Sequence, residues 1–100
     1  MMGSDMEYPA LYQLLGAYFH QDWSLDGTEL GVLDTFISDE PDLARGLPRE
    51  VAKTLSTNPS ESELEKSLFQ LGSYYAAQPA DGGYRGFLER IAERASARTA

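Results

Sequence analysis

Residues 60–71 read Ser60-Glu61-Ser62-Glu63-Leu64-Glu65-Lys66-Ser67-Leu68-Phe69-Gln70-Leu71. Ser60 and Glu63 have the spacing of a capping box: the Ser60 hydroxyl accepts the amide three residues on, and the Glu63 carboxylate reaches back to the Ser60 amide. Glu61, Glu63 and Glu65 occupy the first turns, where the helix dipole favours negative charge. Leu64, Leu68 and Leu71 then recur at the period of one helix face, with Tyr75 as its extension, and Gly72 stands where a helix ends or meets a neighbour closely. A helix starts at Ser60 and buries one side.

Outward from this segment the same period recurs. Towards the N-terminus, Leu43, Leu47, Val51 and Leu55 fall four apart, but Pro48 would cost roughly 3 kcal/mol or more inside a helix. The reading is therefore a short turn at 42–46, then a helix whose first residue is Pro48, ending before Asn58-Pro59. Leu30, Leu33, Phe36 and Ile37 form the apolar face of another helix that ends near Asp39, before Glu40-Pro41. Its start has two competing caps, Asp26 (with Glu29 three residues on) and Thr28. Leu11, Leu14, Leu15 and Tyr18 form a first helix over about 8–19, with Pro9 in its opening turn. Gly16 inside it costs about 1 kcal/mol relative to Ala and marks a place where another helix comes close. Beyond the loop Ala80-Asp81-Gly82-Gly83, a last helix from about Tyr84 to Ala97 buries Phe87, Leu88, Ile91 and Ala95. Its Arg90, Arg94 and Arg98 lie towards the end where the dipole favours cations.

No segment alternates with period two, and no repeat is present. The expectation is an all-α fold, a small single-domain bundle of about five helices over residues 8–98, preceded by a flexible N-terminus at 1–7. The 100 residues leave no room for a second independent core. With 42% of residues hydrophobic and 24% charged, the chain has the composition of a folded domain.

Chemistry is poorly served. There is no cysteine and one histidine, which excludes disulfides, thiol nucleophiles and cysteine or multi-histidine metal sites. His20 with Asp22 is the one His–carboxylate pair, and Ser24 the nearest hydroxyl; groups so close in sequence rarely converge as a triad. Gly82-Gly83 lacks the lysine and preceding strand of a phosphate loop. The expectation is no enzyme, no cofactor and no metal, and neither a signal peptide nor a membrane span.

Charge is more informative. Up to residue 42 there are nine acids (Asp5, Glu7, Asp22, Asp26, Glu29, Asp34, Asp39, Glu40 and Asp42) and no Lys or Arg; from residue 43 onward seven acids face eight bases, for a net −8. Such an acidic half repels nucleic acid and anionic membrane and attracts a basic partner. The competing reading is a surface that only keeps the protein dispersed. Trp23, in a polar loop, either closes the top of the core or anchors an interface, burial habits favouring the lid. Tyr74 and Tyr75 have the same two readings, core or interface.

The run Tyr18-Phe19-His20-Gln21-Asp22-Trp23, within Tyr8 to Trp23, resembles the opening of the immunity proteins of contact-dependent growth inhibition systems. Glu63 to Tyr75 is similar to that family's second recognisable block and Tyr84 to Ile91 to its closing helix, so the resemblance covers nearly the whole chain. It implies a cytoplasmic protein that binds and blocks the C-terminal toxin domain delivered by a neighbouring bacterium, often a nuclease. Since a nuclease presents positive charge to phosphates, a basic partner agrees with the acidic half. The expected partner-binding residues are Asp22, Asp26, Glu29, Asp34, Asp39, Glu40 and Asp42 for electrostatic steering, with Trp23 as anchor. The alternative is an acidic helical adaptor or regulatory module that binds through an apolar patch near Tyr74 and Tyr75.

Overall fold

Local signals, a proline or a capping hydroxyl, stand at the start of the first five helices. The computed structural model describes residues 8–19, 23, 27–73, 75–78, 80 and 82–99, which form an all-α compact globule of six helices without strands among the described residues. Helix α1 is Pro9–Gln13 and runs on directly as a π-helical turn, Leu14–Tyr18; α2 is Glu29–Asp39, α3 Pro41–Ala44, α4 Leu47–Thr57, α5 Glu61–Gln70 and α6 Gly83–Thr99. The segment at 1–7, and with it His20, Asp22, Ser24, Asp26 and Tyr74, lies outside the described residues.

The capping box forms as its spacing requires: the Ser60 hydroxyl accepts the Glu63 amide at 3.2 Å and Glu63 accepts the Ser60 amide at 3.3 Å. At the other end of α5, Gly72 takes φ +99°, the Ser73 amide donates to the Leu68 carbonyl and the Gly72 amide to that of Phe69. This left-handed glycine turn satisfies carbonyls the helix would leave orphaned. A Cβ on Gly72 would lie 3.1 Å from the Gly16 Cα, so the close approach expected at Gly16 is this turn, seated against the π turn of α1. The π turn is closed by the Phe19 amide donating to Leu14.

Three expectations shift. Thr28 is the N-cap of α2, its hydroxyl accepting the Gly31 amide at 3.0 Å. The expected turn at 42–46 contains a full helical turn, α3, because Pro41 is preset for a first helical position, and α4 starts one residue early at Leu47, with Pro48 in its first turn. Leu30 is not core: it is 41% exposed, while Val32, Leu33, Phe36 and Ile37 are buried. Leu30 sits in the first turn at the edge of that face, where α6 covers it only in part.

The long helix α6 is the spine, packed against α4 most extensively and also against α5, α2 and α3. Phe87, Leu88, Ile91 and Ala95 are buried beneath them. At one end of the core Phe19, Trp23, Tyr75 and Phe87 form an aromatic cluster, with Tyr75 stacked on Phe87 at 3.9 Å and Phe19 edge-on to both. Burial of each such ring contributes about 1.5–3 kcal/mol.

Candidate partner-binding surface

The acidic half and the arginines of α6 are far apart in sequence and adjacent in space. Arg90 Nε donates to Glu29 Oε2 at 2.7 Å and its Nη2 to Oε1 at 3.0 Å. The Tyr75 hydroxyl donates to the same Oε1 at 2.7 Å, and burial together with that carboxylate pushes the phenol up to about 12. One and two turns along, Arg94 grips Asp34 through two bonds of 2.8 and 2.6 Å, and Arg98 adds a contact at 3.5 Å. The Arg94 hydrogen bonds hold the Asp34 carboxyl below its ordinary range, against a smaller opposing effect of burial. Of the expected steering acids, Glu29 and Asp34 are thus engaged by paired cations and fasten α2 to α6. These are planar two-point pairs, which fix orientation better than a point charge does.

What remains of the acidic half within the described residues is the corner between α2 and α3. Asp39 is exposed and accepts the Tyr18 hydroxyl at 3.0 Å, which together with burial raises the Tyr18 phenol. Glu40 occupies the N-cap position of α3. Asp42 is 93% exposed and pairs with Arg45 at 2.6 Å, a solvated i,i+3 pair that screens the corner's field only in part. The three lie within four residues of one another, Asp39 and Asp42 exposed and Glu40 half-buried. Asp22 and Asp26 lie outside the described residues. The Trp23 ring is half-buried against Phe19 and Tyr75, at 5.3 and 5.4 Å, as a cover over the aromatic cluster.

Of the apolar patch expected near Tyr74 and Tyr75, Tyr74 lies outside the described residues, and Tyr75, its ring stacked in the core, lines one wall of an open groove beside Phe69. The large hydrophobic side chains that are exposed are Phe69 at 68%, Tyr12 at 47% and Leu30 at 41%. Phe69 lines an open groove between α5 and the 73–84 segment, with Glu65, Lys66, Ala76 and Tyr84. Gln70, the next residue, lines a second groove with Tyr12, Gly16 and Ala17 of α1. The sequence signal for Phe69 was available: it is a large apolar residue one step off the Leu64–Leu68–Leu71 face.

Two carboxylates do structural work that sequence reasoning missed. Glu50, buried, accepts the amides of Ala10 at 3.1 Å and Leu11 at 2.8 Å, capping α1 from α4; burial raises its pKa, opposed by those amide bonds. Its signal is a 47–50–51–54 helical face on which one member is charged, hidden by the four-residue spacing of the leucines. Glu61 accepts the amides of Tyr84 at 2.7 Å and Arg85 at 3.0 Å, capping α6 from α5. Among the described residues no group of side chains is placed to hold a metal ion, and no helix is long and apolar enough to cross a membrane.

The described surface therefore offers charge and exposed aromatic area on a helical frame fastened by ion pairs. Among curated proteins and solved structures nothing matches the chain. The family model described as CdiI immunity protein matches residues 7–95, which takes in every helix but the last turn of α6. The chain belongs to the CdiI immunity protein family, non-enzymatic inhibitors that neutralise the toxin domain of contact-dependent growth inhibition systems.

Proposed function

We propose that the CdiA toxin domain neutralised by this chain is basic, that it is a nuclease, and that the two meet in the cytoplasm, where a delivered nuclease would find its substrate. The observation that carries this reading is the charge distribution: net −8, with no cation in the first 42 residues. Arg90, Arg94 and Arg98 offset Glu29 and Asp34, but Asp39 and Asp42 are exposed at the α2–α3 corner on either side of the half-buried Glu40, with Arg45 paired to Asp42. A nuclease needs a cationic surface for phosphates, and an inhibitor of opposite charge is drawn to that surface and covers it.

Inhibition by this route is stoichiometric occlusion. It requires affinity that outlasts a cell's exposure to toxin, nanomolar or tighter, about −12 kcal/mol. The test is to express the toxin domain encoded beside this gene, with and without this protein, and to follow viability and the integrity of cellular nucleic acid. Rescue, a co-purifying complex and an association rate that falls steeply with salt are the expected results. A salt-independent association rate would remove the basic-partner reading, and a toxin that leaves nucleic acid intact would remove the nuclease.

A further inference from the structure

We propose that the C-terminal end of α5, centred on Phe69, is the apolar anchor of the toxin-binding face, received by an apolar pocket with a Lys/Arg-rich rim on the toxin domain. The inference rests on the reading that the toxin domain is basic, and adds where the complex is held.

Phe69 is the most exposed of the large hydrophobic residues described, although the helix beneath it has an ample interior in Leu64 and Leu68. Water contact over most of a phenyl ring has no use within the monomer, and aromatic rings of this kind supply the few residues that dominate interface energies. Its setting suits that use. The capping box at Ser60 and the glycine turn at Gly72 fix both ends of α5, and the turn is seated on Gly16. The ring therefore projects from a helix fixed at both ends, and little backbone freedom is lost when it is covered.

The charge around it selects the occupant. Glu65 and Lys66 are the charged residues lining the groove beside Phe69, Glu61 one turn earlier is held by the α6 amides, and the chain as a whole carries a net −8. A second copy of this chain would bring a net −8 against its own, which disfavours self-association. An apolar pocket set in a Lys/Arg-rich surface complements both the exposed ring and the chain's net charge.

The experiment measures affinity of the cognate toxin domain for the wild-type chain, Phe69→Ala, Phe69→Arg and, as control, Leu30→Ala, with thermal unfolding and sedimentation of each. Phe69→Ala is expected to raise the Kd about thirtyfold or more, mainly through faster dissociation. Phe69→Arg is expected to do so further, and Leu30→Ala to stay within about threefold. The Phe69 variants should unfold near the wild-type temperature, because that side chain is largely solvated, and Leu30→Ala slightly below it, because α6 covers part of Leu30. Wild-type binding with Phe69→Ala equally tight overturns the anchor and leaves the functional reading standing; a wild-type chain that does not bind the toxin domain overturns both. Dimerisation abolished by Phe69→Ala with toxin affinity unchanged assigns the face to a second copy and overturns the proposal.

Discussion

Glu50→Ala is the substitution whose cost follows most directly from the structure. The Glu50 carboxylate accepts the Ala10 and Leu11 amides in the buried interior, at the start of α1 where no side chain of α1's own N-cap serves. Truncation leaves two buried donors without partners, at about 1–3 kcal/mol each, and returns part of that by removing a buried charge. A net loss of about 2–4 kcal/mol is expected, a large share of the 5–15 kcal/mol that stabilises a domain of this kind. Urea unfolding reads it directly, and the melting temperature should fall by roughly 10–20 °C. Glu50→Gln keeps one acceptor oxygen and should cost less, about 1–2 kcal/mol. It should also change the pH dependence. Burial raises the folded-state pKa of Glu50 above the ordinary 4.5, so the folded state takes up this proton more readily than the unfolded chain. Glu50 then favours folding more as pH falls through its folded value towards 4.5, and that gain should vanish in Glu50→Gln. An alanine variant within about 0.5 kcal/mol of wild type would refute the reasoning, since the two amides would have found other partners at no cost.

Asp34 has the opposite sign. Its folded pKa is below the ordinary 3.8, so its contribution is full above that value and is lost as pH falls through the folded one; Asp34→Asn should flatten this acid limb of stability against pH. Gly72→Ala should destabilise by more than about 1 kcal/mol, from its positive φ and a Cβ pressed on Gly16. Gly16→Ala, whose Cβ meets Leu71 oxygen at an ordinary 3.4 Å, should cost less, and parallel denaturant titrations compare the two. Asp39→Asn combined with Asp42→Asn should slow toxin association severalfold at low salt and have little effect at high salt, with dissociation nearly unchanged by stopped flow. Equal loss at both salt concentrations would remove these residues from steering.

The division of labour in this surface follows from energetics. Long-range attraction needs only net charge, which in the proposed complex the exposed Asp39 and Asp42 would supply at little structural cost. Residence needs desolvated apolar contact, which a corner of solvated carboxylates cannot supply. Association rate and dissociation rate are therefore expected to respond to different residues.

How much was legible depended on the range of the interaction concerned. Capping, helix period and proline position act within a few residues, so the capping box at Ser60, the faces of α1, α5 and α6, and the break at Glu40-Pro41 were readable from the chain alone. Leu30 was misread because period places a residue on a face without saying where along the helix the neighbour's cover stops. Glu50 and Glu61 were missed because each caps a helix other than its own, from 40 and 23 residues away.

The sequence by itself determined the helical class, most helix limits and the family, since these rest on local periodicity and on residue order. It also determined total charge, but not where that charge is displayed. Only the tertiary structure decided that Glu29 and Asp34 face Arg90 and Arg94 across 60 or so residues, so that two of the expected steering acids are fasteners within the fold. Only the tertiary structure, too, chose the core over the interface for the Tyr75 ring and left Phe69 in water. Pairing and exposure depend on which helices become neighbours, and that is set by packing the whole core at once.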